Sequence, residues 1–183
     1  MIEKYDYYTV KGVFERAEEK FREDNSDILN GKLSERTLCG ALMISLHDVL
    51  RKTVYSEYYV DVEFNRCLSN NDNNIKCLKK IVTKAEPKRI FCDLIVHGRG
   101  KLHPDNLIAL EMKKIQRNKT DAVKGLIKHD TERLEYLTSP NNKFGYVLGV
   151  YYEVNYWDKM IYIEYYHNEK NIERDSRNLS NVL

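Results

Sequence analysis

Apolar residues recur at helical spacing over residues 8–29, where Val10, Val13, Phe14, Ala17, Phe21 and Ile28 share one face and charged residues fill the other. Asn30-Gly31 ends that helix. Ser34 opens a second, whose stripe is Leu38, Ala41, Leu42, Ser45, Leu46 and Val49. The period then shortens. Residues 58–64 alternate and are rich in β-formers, which predicts a strand. An Asn-rich NNDNN stretch marks a turn, and residues 75–82 read as a short helix. Residues 90–97 and 107–113 are two apolar strands joined by a turn containing Gly98, Gly100 and Pro104. Helical spacing returns over 120–137, with Val123, Leu126, Ile127, Leu134 and Leu137 on the buried side. Residues 144–154 and 160–167 are two further strands, and the polar tail after Asn168 is expected to fray. The pattern predicts one α/β domain over residues 1–183 with a mixed central sheet flanked by helices.

One feature breaks the apolar pattern with chemistry. Asp93 sits inside the run over residues 90–97, and the run over 107–113 ends in Glu111-Met112-Lys113. Side chains two apart on a strand share a face, so Glu111 and Lys113 project side by side, about 7 Å apart. If the two runs pair as a hairpin, Asp93 reaches the same edge. Two carboxylates suit a hard cation such as Mg²⁺, with Mn²⁺ as a substitute. A neighbouring ammonium orients a water and offsets phosphate charge. The plainer alternative is a Glu–Lys pair on the solvent side of an edge strand, worth little energetically.

Composition narrows the setting. At 183 residues the chain is long enough for a full core, and 42% hydrophobic with 32% charged residues fits a globular protein. No apolar run approaches a membrane span, and the N-terminus lacks a signal-peptide pattern. Cys39, Cys67, Cys77 and Cys92 form no C-x-x-C pair and read as reduced packing residues, so the expectation is a cytoplasmic protein without zinc. A net charge of +2 means that any nucleic-acid binding must come from a local basic surface.

Asp93 with Glu111-Met112-Lys113 resembles the catalytic core of the PD-(D/E)xK, restriction-endonuclease-like nuclease superfamily, with Cys92 where the usual proline stands. The order of elements resembles that family's αβββαβ core, with the site on the second and third strands. The resemblance is closer to a largely uncharacterised bacterial group, through Glu35-Arg36, through Val60-Asp61-Val62-Glu63-Phe64-Asn65-Arg66, and through His97, Arg99 and Gly100. It continues through Asn106, Leu107, Glu111, Lys113 and Lys114, and through Asp130, Arg133, Leu134, Leu137 and Thr138. It implies an N-terminal helical extension over residues 1–33, a core over 34–155, and a C-terminal strand and tail over 156–183.

The resemblance implies a Mg²⁺-dependent nuclease acting on DNA ahead of RNA, with Asp93, Glu111 and the Met112 carbonyl as metal ligands and Lys113 orienting water. Glu63 is either a further site carboxylate or a partner for Arg66 or Arg36. Glu35 is either a ligand of a second metal or an acid favoured at a helix N-terminus by the dipole alone. His97 and Arg99 are candidate phosphate contacts, Arg99 through its planar fork. Gln116 lies near a bound backbone. Lys114, Arg117, Lys119, Lys124 and Lys128 form either a phosphate track or a solvated helix face. The C-terminal tyrosines are expected in the core and on the sheet, ahead of base stacking or a dimer interface. The alternative to catalysis is a nucleic-acid- or partner-binding subunit of the same fold with weak or no turnover. Specificity would come from a homodimer or a partner subunit.

Overall fold

The structure, a computed structural model, describes residues 5–62, 80–82, 87–89, 92–141 and 144–179, with 80–82 and 87–89 as backbone. Three helices open the chain: α1 (Tyr7–Asp24), α2 (Ser26–Asn30) and α3 (Glu35–Leu50). Each long helix begins at a side chain that satisfies an orphan amide. Asp6 accepts from the Thr9 N–H at 2.9 Å, and Ser34 accepts from the Thr37 N–H at 3.2 Å. The helical period expected over residues 8–29 is interrupted at Asn25, whose side chain donates to the Phe21 carbonyl and whose backbone leaves the helix.

The strands are β1 (Tyr59–Val62), β2 (Lys80–Val82), β3 (Pro87–Arg89), β4 (Leu94–His97) and β5 (Asn106–Ile115). After α4 (Asp121–Leu137) come β6 (Leu148–Asn155), β7 (Met160–His167) and β8 (Lys170–Asn178). Six strands form a mixed sheet in the order β1-β4-β5-β6-β7-β8. β1, β4 and β5 run antiparallel in turn, β6 is parallel to β5 through the α4 crossover, and β7 and β8 add an antiparallel extension.

Two expectations are corrected. Residues 80–82, read as the end of a short helix, form a strand paired with Pro87–Arg89. The tail after Asn168 does not fray through Asn178. It is β8, paired along its length with β7, which supplies the hydrogen bonds that its charged sequence gives no apolar sign of.

The sheet separates two cores. Val10, Phe14, Leu38 and Leu42 of α1 and α3 pack on Leu110, Met112, Val150 and Tyr152. On the other face Leu134 and Leu137 of α4 pack on Ile95, Ala109 and Tyr151. Only the C-terminal half of α4 is docked tightly, and Leu126, expected inside, is 58% exposed. Close docking depends on Gly149 in β6. A Cβ there would lie 3.0 Å from both the Thr138 Cγ2 and the Tyr166 Cβ. Tyr146, Tyr151, Tyr152, Tyr165 and Tyr166 are core residues, while Trp157 is exposed. Cys39 and Cys92 are buried thiols outside any disulfide. Among the described residues no helix is long and apolar enough to cross a membrane.

Candidate active site

Hairpin pairing brings the two sequence elements of the site together. In the β4–β5 ladder Ile95 faces Ala109 and Leu94 faces Leu110, so one further step sets Asp93 against Glu111. The Asp93 Oδ2 accepts the Met112 N–H at 2.8 Å, which ties the aspartate to the middle residue of Glu111-Met112-Lys113. Strand alternation sends Met112 into the core, where the Cys39 thiol donates to its sulfur at 3.5 Å. Glu111 and Lys113 point the other way, toward α4.

α4 answers them with opposite charges. Arg133 Nη1 donates to Glu111 Oε1 at 2.6 Å, and Lys113 Nζ lies 2.9 Å from Asp130 Oδ2. Arg133 Nη2 lies 3.4 Å from Asp130 Oδ1. Asp130 and Arg133 thus link Glu111 to Lys113 in one chain of charges. Sequence reasoning gave neither a role. The available signal was their place in the segment Asp130 to Thr138 that carried part of the resemblance, but spacing three apart on a helix reads equally as a surface pair.

The electrostatics follow from burial. Glu111 is 2% exposed, and burial pushes its pKa up to about 8. Arg133 opposes the shift, and the charges of Asp93 and Asp130 add to it. Burial likewise raises Asp93 above the ordinary carboxylate value, against the Met112 N–H and the Lys113 charge, with Asp130 and Glu35 adding to the rise. For Lys113 burial favours the neutral amine. The bond to and charge of Asp130, with Glu35 and Asp93, outweigh it and hold the ammonium above its ordinary value.

Glu35, the first residue of α3, stands at the same end of the sheet. Its Oε1 accepts the Lys114 N–H at 3.1 Å, and it lines with Asp93 a cavity of about 390 Å³ shared with Ser34, Arg36, Cys39 and Val62. Glu63 and Arg66 lie outside the described residues. Among the described residues no group of three or more His, Cys, Asp or Glu side chains is set to hold a metal. The two oxygen donors at hand, Asp93 and Glu111, still fit Mg²⁺ by type, because that ion keeps several waters and takes one or two carboxylates. Their burial and mutual repulsion are the kind of strain that a cation relieves.

The basic candidates are not gathered into one rim. His97 and Arg99 lie at the far end of β4, at least four residues or roughly 13 Å from Asp93 along the strand. Arg99 forks onto Asp61, with Nη2 2.8 Å from both carboxylate oxygens, and stacks on the Tyr59 ring at 4.0 Å. His97 Nε2 lies 2.8 Å from the same aspartate. Burial opposes ionisation of Asp61, but the bonds from Arg99 and His97 hold its carboxyl below the ordinary value. Lys114 alternates to the opposite face from Lys113, and its Nζ donates to the Lys32 and Leu33 carbonyls. Lys119 pairs with buried Glu153 at 2.8 Å. Lys124 and Lys128 lie on the exposed side of α4, beside Asp121 and Glu132. Gln116 and Arg117 are exposed just after β5.

Comparison with protein-family models, curated proteins and solved structures finds no match to the chain.

Proposed function

We propose that the protein is a Mg²⁺-dependent phosphodiesterase that hydrolyses nucleic acid, DNA ahead of RNA. The observation that carries this reading is that strand pairing sets Asp93 beside Glu111-Met112-Lys113 at one end of β4 and β5, with the aspartate bonded to the Met112 N–H. The order α3, β1, β4, β5, α4, β6, with three antiparallel strands and a parallel fourth, supports it as the order of a restriction-endonuclease-like core.

Asp93 and Glu111, with the Met112 carbonyl, would hold the metal, and Glu35 lines the cavity that Asp93 borders. A bound Mg²⁺ supplies a lowered pKa for water and charge stabilisation at the phosphate. Lys113 is held as an ammonium, so it acts as a donor and not as a base. It orients the water oxygen and offsets charge on a non-bridging phosphate oxygen. Asp130 fixes the ammonium and so sets its direction. The chain needs no covalent nucleophile for this route.

A second reading is a nucleic-acid- or partner-binding subunit without turnover. The pairing of both Glu111 and Lys113 to α4 favours it, because ion-paired groups must be released before they act. The deciding experiment incubates purified protein with plasmid, linear duplex, single-stranded DNA and RNA under Mg²⁺, Mn²⁺ or EDTA. Metal-dependent cleavage lost in Asp93→Asn supports the nuclease. Binding without cleavage of any substrate supports the second reading.

A further inference from the structure

We infer that Arg133 is the resident cation of this site, holding Glu111 where a divalent metal would bind and moving off it, still tethered to Asp130, when the metal arrives. The inference rests on reading Asp93 and Glu111 as the metal carboxylates.

Lys113 and Arg133 face Asp130 and Glu111 in a partly dry space between β5 and α4, and Asp93 lies close enough to feel the Lys113 charge. Glu111 is the most buried of the three acids, and Arg133 Nη1 sits on its Oε1 at 2.6 Å. A buried carboxylate deprived of its partner is costly, so Glu111 does not release Arg133 to leave nothing behind. A guanidinium cannot lose its proton under ordinary conditions, so titration of Arg133 does not open the site either. While Glu111 is ionised, only another cation can take its place.

The geometry also gives the displaced group somewhere to go. The guanidinium is a planar fork, and its second nitrogen already lies 3.4 Å from Asp130 Oδ1. Asp130 is thus a second seat on the same helix, three residues away. A lysine at 133 would offer one point charge and no such bridge. Metal binding and the release of Arg133 are then one coupled exchange, in which the side chain freed from Glu111 carries positive charge toward the reacting phosphate.

The first test needs no variant. The guanidinium protons of Arg133 are followed by ¹⁵N-edited NMR of the full chain while Mg²⁺ is added without nucleic acid. The expected result is a shift and a loss of protection that saturate with the metal. The second test is calorimetry with Mg²⁺ alone at pH 8.5, comparing wild type, Arg133→Met and Lys114→Met. Methionine keeps length and helix propensity without charge. Arg133→Met is expected to bind about tenfold tighter or more, the scale of one hydrogen bond to a charged group. Lys114→Met, whose charge lies on the opposite face, is expected to change affinity less than twofold, as a distant screened charge does.

Equal gains from both variants would show a general field effect and overturn the inference. If Arg133→Met does not fold, the NMR result alone decides. Mg²⁺ binding that Asp93→Asn abolishes, but that leaves the Arg133 signals unmoved, overturns this inference and leaves the reading of the site standing. No Mg²⁺ binding by the wild type overturns both.

Discussion

Asp93 accepts the backbone N–H of Met112, and this single bond locks the aspartate to the strand residue that separates Glu111 from Lys113. The register of the hairpin, and not loop geometry, therefore sets the spacing of the three groups. A one-residue slip of β5 would turn Glu111 and Lys113 into the core face and bring Met112 out.

Asp93→Asn keeps the shape and an oxygen acceptor for the Met112 N–H but removes the charge. Mg²⁺ affinity measured by calorimetry should fall below detection. Stability measured by urea denaturation should stay within about 1 kcal/mol of wild type, since no cavity is created and the Met112 N–H keeps its acceptor. Retained Mg²⁺ binding would remove Asp93 from the metal site.

Lys113→Ala should separate binding from turnover. Its ammonium acts on water and phosphate, so kcat should drop by about 10²–10³-fold, as for the loss of one preorganised donor. Mg²⁺ affinity should stay or improve, because a positive charge beside Asp93 is lost. Cleavage at the wild-type rate would take water activation away from this residue.

The hairpin was legible because both runs are apolar with polar interruptions and the glycines mark the turn. At Gly98 a Cβ would lie 2.6 Å from that of Leu102, and Gly100 has a φ of 76°. β8 was not legible. Its sequence, Lys170-Asn171-Ile172-Glu173-Arg174-Asp175-Ser176-Arg177-Asn178, is that of a charged edge strand, and its order comes from pairing with β7. The roles of Asp130 and Arg133 were hidden for a related reason. A helix face is read from apolar spacing, which named Val123 and Leu126 as buried and passed over Asp130. Tertiary docking reverses that order, burying Asp130 against Lys113 and leaving Leu126 in solvent. The basic residues were grouped by position in the sequence, and strand parity then sent Lys114 to the face opposite Lys113.

Gly149 tests whether the docking of α4 supports the site. A methyl there meets Thr138 and Tyr166 at 3.0 Å and Leu134 at 3.4 Å, tighter than ordinary contact. Gly149→Ala should cost about 1–3 kcal/mol by overpacking, read from the urea midpoint. It should also displace α4 from β5 and loosen the Arg133–Glu111 pair, which NMR of the Arg133 guanidinium would register. Unchanged stability would show that the helix shifts freely and does not hold the site rigidly.

The pH dependence of stability follows from Glu111. Its carboxyl is ordinarily half-ionised near 4.5, and burial raises that to about 8 in the fold. Between those values the native protein keeps a proton that the unfolded chain has lost. Stability rises with pH only where the unfolded state binds more protons, so here it must fall as pH rises, by up to about 1.4 kcal/mol per unit, and level off above the folded value. Asp93 is shifted in the same direction and adds to the loss. Asp61 is shifted downward, so its contribution disappears only as pH falls through its lowered folded value and does not cancel the effect near neutrality. Urea denaturation in EDTA across pH 5–9, about the span of the two Glu111 values, should show the decline. Glu111→Gln should flatten most of it, because the amide has no proton to lose. Saturating Mg²⁺ should reverse it in the wild type, since the metal binds the ionised carboxylate and competes with the proton. Wild-type stability that rises over the same interval in EDTA would show that Glu111 stays ionised in the fold at these pH values, and this account of the pH dependence would fail.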